Sequence, residues 1–351
     1  MAVDEGKLQK FMEKMLGDMG AAMGAALVIV GDKLGLYKAM AGAGPISSED
    51  LAKKTNTDER YVREWLAGQA AAGYVEYDGA SQHFTLPAEQ ELVFAVEGSP
   101  VFVPGAFEII AAILRDEPKI TEAFKTGRGV GWHEHDAALF SGTERFFRPS
   151  YAAHLVAEWL PALEGMRDRL EKGIEVADVG CGHGSSTILM AKAFPKSTFV
   201  GFDYHQPSLD RAAAAAKAAG VTNVRFERAM AKEFPGKNYG LVAFFDCLHD
   251  MGDPVGASAH VRQTLAPDGT WMIVEPFAHD SVQENLNPIG RTFYSASTMI
   301  CTPASKSQEV GLALGTQAGE KRLREVVMAG GFKRFRRVAE TPFNLVLEAR
   351  P

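Results

Sequence analysis

VADVGCGHGSST, residues 176–187, is the stretch of this chain that decides the fold. An apolar run ends in the acidic Asp178, glycines follow at alternate positions from Gly180 to Gly184, and small hydroxyl residues come next. The backbone must turn sharply there from a strand into a helix, because glycine adopts positive φ and lets a ligand approach the main chain closely. The stretch therefore predicts a ligand-binding turn at the start of an α/β unit.

The next predicted strand, residues 197–202, is followed by a carboxylate. Asp203 lies nineteen residues beyond Gly184, and a carboxylate there can accept hydrogen bonds from both hydroxyls of a ribose. A dinucleotide-binding turn reads G-x-G-x-x-G and would have its third glycine at position 185, where this chain has Ser185. We therefore predict a nucleoside-like ligand that is not a dinucleotide.

Strand and helix signals alternate from residue 204 to the end of the sequence. Pro207 opens a predicted helix that Gly220 ends. Further strands are predicted in residues 221–228, 239–250, 270–277, 332–341 and 343–351. This alternation predicts an α/β fold with a doubly wound, mostly parallel sheet, whose ligand site lies at the carboxyl ends of the strands.

Residues 148–351 resemble the class I S-adenosylmethionine-dependent methyltransferases in strand order and motif content. The turn D-x-G-x-G-x-G matches motif I of that family, and the last two strands match the antiparallel hairpin that closes its sheet. The resemblance implies a Rossmann-like domain with a mostly parallel seven-stranded sheet, S-adenosylmethionine as cofactor and S-adenosylhomocysteine as product. It also implies the cofactor-binding residues Asp178, Gly180, Cys181, Gly182, Gly184, Ser186, Asp203, Tyr204, Ala229, Met230, Asp246 and Cys247.

The predicted adenine contact departs from the family pattern. Many class I enzymes place an aspartate after the third strand, where it pairs with the adenine amino group. This chain has ERAMAKEF at residues 227–234 instead. We therefore expect backbone groups of Ala229 and Met230 to contact the adenine.

FFDCLHDMGDP, residues 244–254, carries the candidate catalytic base. Transfer to an oxygen needs a group that removes the acceptor's proton, and the imidazole of His249 titrates near neutrality. The small-molecule O-methyltransferases that this segment resembles place a catalytic histidine in a similar L-H-D stretch and an acid at the end of the next strand, which Glu275 matches. Glu275 would fix the tautomer and leave the other nitrogen as the base. The alternative is a structural histidine that caps the following helix.

Residue identity disfavours two other methyltransferase chemistries. Amino-methyltransferases usually carry N/D-P-P-Y after the fourth strand, where this chain has D-C-L-H at residues 246–249. Metal-dependent catechol-type enzymes place Asp and Asn together after the fifth strand, where Glu275 is followed by Pro276 and Phe277. No cluster in the sequence has the spacing of a Mg²⁺ or Zn²⁺ site, so no metal is expected.

Residues 1–100 are predicted to form a separate α-helical, winged-helix-like domain. A helix capped by Ser47 or Ser48, a second helix capped by Thr57, and a hairpin in residues 74–86 give a helix–turn–helix–wing pattern. Residues 47–90 hold four basic and eight acidic side chains, a balance of −4, whereas a DNA-binding face should be basic. The pattern resembles the N-terminal domain of small-molecule O-methyltransferases, which dimerises and covers the active site. We therefore expect a homodimer through residues 1–100 and no nucleic-acid partner.

Residues 101–165 form a predicted helical linker rich in aromatic side chains, and residues 166–351 form the methyltransferase domain. Apolar pockets tend to form at domain interfaces. The long segment that follows residue 287 would cover the strand ends as a lid. A purely structural role of these side chains is the alternative. The candidate substrate-pocket residues are Trp132, His133, Phe146, Arg148, Tyr151, Arg291, Tyr294 and Met299.

Composition narrows the cellular setting. The 351-residue chain has a formal net charge of −7, which gives no electrostatic reason to bind nucleic acid or an anionic membrane. Its three cysteines are too few and too scattered for a disulfide framework, so a cytoplasmic location is expected. The apolar stretch in residues 21–30 is too short to span a bilayer, and no membrane partner is expected.

The sequence thus predicts a cytoplasmic, dimeric, metal-independent enzyme that methylates an oxygen of a small apolar or aromatic acceptor. Carbon or sulfur methylation on the same fold is the first alternative. The second is a transcriptional regulator that binds the cofactor through one half and DNA through the winged helix. The acidic balance of that half disfavours the regulator.

Overall fold

The computed structural model describes residues 3–351 and divides the chain into two compact units. The first unit extends to Ala112 and includes Ser141–Pro149, and the second comprises Ile113–Phe140 and Ser150–Pro351. Residues of the predicted linker thus contribute to both units. The predicted domain boundaries at residues 100 and 165 stay predictions.

The first unit is mostly helical and carries one small hairpin. Its elements are α1 (Glu5–Lys33), α2 (Leu36–Met40), α3 (Ser48–Thr55), α4 (Glu59–Ala71), β1 (Glu76–Asp78), β2 (His83–Thr85), α5 (Ala88–Phe94) and the start of α6 (Pro104–Thr126). The two strands pair antiparallel, with Tyr77 opposite Phe84. The predicted wing is therefore present.

Capping residues set where the two helices of the winged-helix pattern begin. Ser47 accepts a hydrogen bond from the N–H of Asp50 at the start of α3, as predicted. The predicted cap of α4 is wrong, because Asp58 and not Thr57 accepts from the N–H of Tyr61. The carboxylate is the stronger cap, since it also complements the positive end of the helix dipole.

The core of the first unit holds the C-terminal part of α1 against α2 and α4. The hydroxyl of Tyr37 donates to Gln69 at 2.5 Å, and its ring packs edge-on to Trp65 with centroids 5.0 Å apart. The indole N–H of Trp65 donates to the carbonyl of Leu27 at 2.8 Å. A Cβ at Gly31 would lie 2.5 Å from the Trp65 ring, so only glycine permits this close approach.

The N-terminal part of α1 is uncovered within its unit. Only Ala25, Val28 and Gly31 of this 29-residue helix are buried. The large apolar side chains exposed along it, at 49–76% of their full area, are Leu8, Phe11, Met12, Leu16, Met19 and Met23. The apolar stretch of residues 21–30 belongs to this longer helix, which by length and composition alone could cross a membrane. Core helices and signal sequences meet the same criterion.

The second unit alternates helices and strands, beginning within α6. Its remaining helices are α7 (Ala138–His154, shared with the first unit), α8 (Leu160–Ala162), α9 (Met166–Lys172), α10 (Ser185–Ala193), α11 (Gln206–Ala218), α12 (Pro254–Thr264), α13 (Pro288–Ala296), α14 (Thr302–Lys306) and α15 (Gly319–Ala329). Its strands are β3 (Glu175–Val179), β4 (Thr198–Asp203), β5 (Val224–Arg228), β6 (Tyr239–Phe245), β7 (Leu265–Pro276), β8 (Arg334–Glu340) and β9 (Asn344–Arg350). Short 3₁₀ turns cover Trp132–Glu134 and Leu248–Asp250, and π-helical turns cover Leu155–Trp159 and Ser297–Cys301.

The seven strands form one sheet in the order β5-β4-β3-β6-β7-β9-β8. The first five of these are parallel to one another, and β9 pairs antiparallel with both β7 and β8. The predicted class I methyltransferase sheet with its closing hairpin is confirmed. The chain passes from one side of β3 to the other between β5 and β6, so the carboxyl ends of β3, β4 and β6 flank a topological switch point, where ligands of such sheets bind.

Candidate active site

The glycine turn between β3 and α10 adopts the backbone conformation that its sequence predicts. Gly180, Gly182 and Gly184 have φ values of +75°, +52° and +78°. A Cβ at Gly180 would lie 2.8 Å from the sulfur of Cys247, and one at Gly184 would lie 2.8 Å from the ring of Phe226. A Cβ at Gly182 would meet no atom within 4 Å in the described chain. Packing thus requires the outer two glycines, whereas Gly182 borders open space in which a ligand can lie.

Asp203, at the carboxyl end of β4, holds this turn in place. Its Oδ2 accepts from the N–H of Gly182 and its Oδ1 accepts from the N–H of His205, both at 2.9 Å. Burial raises the pKa of this carboxyl. Each carboxylate oxygen can accept a second hydrogen bond. The residue therefore fits a ligand that presents a pair of ribose hydroxyls.

Asp178 ties β3 to the start of α10. Its Oδ2 accepts from the hydroxyls of Ser186 at 2.7 Å and Thr187 at 2.6 Å. Its Oδ1 is buried and has no hydrogen-bond partner among residues 3–351. Burial raises the pKa of Asp178 to about 6. This unused acceptor, the open space at Gly182 and the Asp203 carboxylate fit a cofactor that carries both a ribose and an ammonium group.

The backbone N–H of Ala229 is not available for the predicted adenine contact. The N–H of Ala229 donates to the carbonyl of Asp203 at 3.0 Å, so that group holds the end of β5 to β4. Met230 follows in the loop and is 48% exposed. A role of either residue toward adenine rests on the remaining carbonyl groups and the Met230 side chain, and stays a prediction.

Three other predicted cofactor residues surround the turn. Cys181 is buried, and Cys247 packs beneath Gly180 while its thiol donates to the carbonyl of Val179 at 3.3 Å. The ring of Tyr204 lies edge-on to the ring of His133 with centroids 6.1 Å apart. Both cysteines thus serve as small packing groups at the edge of the sheet, since burial raises the pKa of each thiol well above 9.

Asp246 occupies a strained position directly after β6. Its φ of +50° is rare for a residue other than glycine. The hydroxyl of Tyr151 donates to its Oδ2 at 2.6 Å, and the amide of Asn344 donates to its Oδ1 at 3.1 Å. Burial raises the pKa of Asp246 to about 7. The protein itself thus occupies both oxygens of this carboxylate, and its predicted part in cofactor binding stays untested.

His249 and Glu275 form the buried pair that the sequence predicted. His249 lies in the 3₁₀ turn after β6, and its Nδ1 is 2.5 Å from Oε2 of Glu275 near the end of β7. The other carboxylate oxygen accepts from the N–H of Leu248 at 2.9 Å, which fixes the carboxylate. Glu275 thereby fixes the orientation of the imidazole and directs its Nε2 away from β7.

A second carboxylate and a thiol face the other side of the imidazole. Oδ1 of Asp250 lies 3.2 Å from His249 Nε2, and the sulfur of Cys301 lies within 4.8 Å of the imidazole nitrogen and the carboxylate. The indole N–H of Trp132 donates to Oδ2 of Asp250 at 2.7 Å. Nε2 is therefore not the open nitrogen that the sequence led us to expect, because Asp250 and Cys301 were not foreseen beside it.

The protonation of His249 follows from these neighbours. Burial alone works against the charged imidazole, but the carboxylates of Glu275 and Asp250 outweigh it and raise the pKa of His249 well above 6.5. Burial raises the pKa of Cys301 to about 12, so its thiol is protonated at neutral pH. The two carboxylates therefore favour the protonated form of the imidazole.

The structure places three of the predicted pocket residues beside residues of the candidate active site. Trp132, His133 and Tyr151 contact Asp250, Tyr204 and Asp246 at the carboxyl edge of the sheet. Arg291, Tyr294 and Met299 lie on α13 and the following π-helical turn, where Arg291 is exposed and the other two are half-buried. Phe146 and Arg148 belong to the first unit, where Arg148 is paired with Glu144 at 3.6 Å.

The sequence did not single out Asn344, and it did not indicate that Asp250 and Cys301 lie beside His249, although Cys301 belongs to the segment expected to cover the strand ends. Asp250 directly follows His249, and the L-H-D pattern could have indicated it as a second acidic neighbour. Cys301 and Asn344 are 52 and 95 positions from His249 in the chain. No local pattern brings such distant positions together, so only the fold could reveal them.

Two known families match different parts of the chain. Residues 21–95 match the family described as Rv2258c-like winged HTH domain, and residues 170–328 match the family described as Methyltransferase domain. The winged-helix match thus precedes the methyltransferase match along the chain, in the order that the motifs predict.

Curated relatives match shorter stretches. A trans-aconitate 2-methyltransferase of Deinococcus radiodurans is 30% identical over 112 residues, which cover 32% of this chain and 42% of that protein. A tRNA (guanine-N(7)-)-methyltransferase of Aliivibrio fischeri is 46% identical over 50 residues, which cover 14% of this chain and 21% of that protein. The chain thus spans less than half the length of these relatives.

Solved structures match along nearly the whole chain. A Nostoc punctiforme protein described as an O-methyltransferase aligns with a TM-score of 0.74 and 18% identity over 96% of this chain and 98% of its own. Mitomycin 7-O-methyltransferase MmcR aligns with a TM-score of 0.71 and 18% identity over 99% and 100%. Human N-acetylserotonin methyltransferase, solved with S-adenosylmethionine, aligns with a TM-score of 0.66 and 14% identity over 100% and 99%. At these identities the likeness establishes the fold.

Proposed function

We propose that this protein is an S-adenosylmethionine-dependent O-methyltransferase that acts on a small apolar or aromatic acceptor, with His249 as general base. The buried pair of His249 and Glu275 carries the proposal. His249 lies two residues beyond Cys247, whose sulfur packs under Gly180 of the glycine turn. A proton acceptor of fixed orientation thus shares the sheet edge with the predicted cofactor site.

The chain's contribution to methyl transfer is first of all alignment. The cofactor supplies a methyl group on a positively charged sulfur. Asp203 offers acceptors to ribose hydroxyls, Gly182 leaves room beside the main chain, and Asp178 has one oxygen unused. Holding two reactants in line can lower a barrier by roughly 7–11 kcal/mol at best. Alignment therefore accounts for a large part of the catalysis proposed here.

The second contribution is removal of the acceptor's proton. His249 takes that proton at Nε2 once the imidazole is neutral, while Glu275 holds Nδ1. Because the carboxylates raise the pKa of His249, the neutral ring is a stronger base than ordinary imidazole. Its pKa moves toward that of a phenol, about 10. Proton transfer from a hydroxyl is then less unfavourable, which supports an oxygen acceptor.

Replacing Glu275 with glutamine should shift the pH profile of methyl transfer toward lower pH. Glu275 raises the pKa of His249, so loss of its charge lets the imidazole lose its proton at lower pH. The orienting hydrogen bond weakens at the same time, so the plateau rate should fall by roughly tenfold. The measurement is kcat/KM against pH for Glu275→Gln beside Glu171→Gln, whose carboxylate pairs with Arg167 on the surface. An unchanged midpoint would contradict the proposed pairing.

The proposal as a whole is tested by binding and turnover with the purified full chain. Calorimetry with S-adenosylhomocysteine asks whether the site binds this cofactor family. An assay for S-adenosylhomocysteine formation with phenols, carboxylic acids, thiols and activated carbon acceptors then separates oxygen from sulfur and carbon methylation. The carboxylate class is included because one relative is a trans-aconitate 2-methyltransferase. Absence of cofactor binding by a folded protein would refute the proposal.

The first unit supports a dimerisation role over DNA recognition. On α4, the position of a recognition helix, Arg60 pairs with Glu64 at 2.5 Å and Arg63 pairs with Glu59 at 3.1 Å. These charges are neutralised within the helix and offer little to phosphates. We infer that α1 mediates a homodimer, because its exposed apolar side chains recur at helical spacing. A cytoplasmic location accords with three free cysteines.

A charged pair on the apolar stripe of α1 should dissociate this dimer. Leu16 and Met19 are 64% and 56% exposed, and Leu16→Glu combined with Met19→Glu would place two carboxylates in the interface. Light scattering after size exclusion should give a dimer for the wild type and a monomer for the double variant. Lys10→Glu, on the opposite helix face, is the control and should remain dimeric. A monomeric wild type that floats with lipid vesicles would assign the stripe to a membrane instead.

A further inference from the structure

Three potential metal ligands converge beside the proposed base. His249, Asp250 and Cys301 each offer one ligand atom, and these atoms all lie within 4.8 Å of one another. All three residues are buried, with 3%, 8% and 5% of their area exposed. In a tetrahedral zinc site with bonds of about 2.0–2.3 Å, ligand atoms are roughly 3.3–3.6 Å apart. A closure of about an ångström would bring this trio to that geometry.

The surrounding hydrogen bonds already orient two of the ligands. Metal-bound histidines commonly donate their second ring N–H to a carboxylate, and Glu275 holds Nδ1 of His249 in this way. Trp132 donates to Oδ2 of Asp250 and leaves Oδ1 facing the imidazole. That Oδ1 is buried and meets no hydrogen-bond donor of suitable geometry in the part of the chain that is described. It faces Nε2 of His249 at 3.2 Å, and a metal ion bound between the two residues would coordinate both atoms.

Backbone geometry places the third ligand. Cys301 ends the π-helical turn Ser297–Cys301, which continues from α13. Such turns add a residue to the helix and are frequent at functional sites, because they re-aim the side chains that follow. Here the turn directs a soft sulfur ligand toward an imidazole and a carboxylate. Sulfur and imidazole nitrogen together favour zinc over magnesium or calcium.

We propose that His249, Asp250 and Cys301 bind a zinc ion, leaving one coordination position open. The exchange balances in charge. The site loses one proton from the imidazolium of His249 and one from the thiol of Cys301, and it gains one divalent cation. Zinc is the ligand class, because three protein ligands with an open fourth position are the arrangement of accessible zinc sites.

This inference rests on the proposed function for its consequence, although the site itself does not. Zinc would bind Nε2 of His249, the nitrogen proposed to remove the acceptor's proton. Methyl transfer should therefore be inhibited by zinc and restored by a chelator. The structure thus assigns to the methyltransferase site a metal-sensitive state as well as a metal-independent catalytic one.

Cobalt replaces zinc in the test because a cobalt–thiolate bond absorbs light. Untagged, chelator-treated full chain is titrated with Co²⁺, and one equivalent should give a thiolate charge-transfer band that Zn²⁺ abolishes by displacement. Cys301→Ser should lose the band and bind zinc at least roughly 100-fold more weakly, since even outer partners of a metal site cost 10–100-fold. Asp250→Asn should keep the band but bind more weakly, and serves if the cysteine variant misfolds.

Cys181→Ala is the matched control for the cobalt band, because it removes another buried thiol of the same unit. It should retain the full band. No band in the wild type, or an unchanged band in Cys301→Ser, would overturn the metal site. Calorimetry with S-adenosylhomocysteine on the same preparations keeps the two proposals apart. Cobalt binding without cofactor binding would support the metal site and refute the proposed methyltransferase function. Cofactor binding without cobalt binding would support the methyltransferase function and refute the metal site.

Discussion

Alanine at position 249 should lower turnover by roughly 10²–10⁴-fold while the affinity for S-adenosylhomocysteine changes little. The imidazole of His249 is the proposed proton acceptor, and its Nδ1 is held by Glu275 at 2.5 Å. Loss of the ring therefore removes the base and leaves the glycine turn intact.

Single-turnover rates with a phenolic acceptor, measured beside cofactor affinity, distinguish this effect from a folding defect. His260→Ala is the matched control, since His260 also lies in the second unit and its Nε2 contacts the carbonyl of Phe234 at 2.8 Å. It should keep near-normal turnover. If His249→Ala also turned over normally, alignment alone would carry the reaction, as expected for an acceptor that arrives already ionised.

The fold could be predicted because its signals are local. The strands β4 and β6 contain short apolar runs that end at a polar residue, and such runs need no distant partner to be recognised. The antiparallel pairing of β8 with β9 was implied by the resemblance to the methyltransferase sheet and is present. Glycines at positions 180, 182 and 184 indicated the turn, but only the structure shows why each position needs glycine. Cys247 leaves no room for a Cβ at Gly180, and Phe226 leaves none at Gly184. At Gly182 the space is open, and a bound ligand would fill it.

The surroundings of the base could not be predicted, because they depend on tertiary contacts. Trp132 lies 118 positions before Asp250, yet its indole donates to that carboxylate. Cys301 reaches the imidazole through a π-helical turn, which no periodicity in the sequence announces. From the sequence we therefore predicted a free Nε2 and no metal ligands. Tertiary packing instead placed a carboxylate and a thiol there.

The adenine contact shows the same limit at the backbone level. From the sequence, we expected the backbone of Ala229, which follows β5, to be free to contact adenine. In the fold its N–H continues the pairing of β5 with β4, because it donates to the carbonyl of Asp203. Backbone donors are nearly always used where strands end. A prediction that relies on a free one needs the register, which single-sequence patterns do not provide.

Valine in place of Gly182 should abolish measurable S-adenosylhomocysteine binding while the protein stays folded. Gly182 has a φ of +52° and borders open space, so added methyl groups would occupy the volume left for the ligand. We expect affinity to fall at least about 100-fold, which is about 2.8 kcal/mol. Asp203→Ala should have an effect of the same kind, because it removes the acceptors for a ribose and the bond that holds the Gly182 N–H.

Strain must be separated from ligand exclusion in this experiment, and the chain offers a matched glycine. Gly220 has a φ of +67° and, within the described residues, open space where a Cβ would lie, but it follows the end of α11, away from the turn. Valine at either site would have to adopt the left-handed backbone conformation, which costs roughly 1–2 kcal/mol of folding free energy. Both variants should therefore lose similar thermal stability, and only Gly182→Val should lose cofactor binding. Equal affinity in the two variants would mean that the glycine turn does not hold the cofactor. Tight binding of a dinucleotide instead would restore the dinucleotide-binding interpretation, which Ser185 disfavours because that motif has glycine at this position.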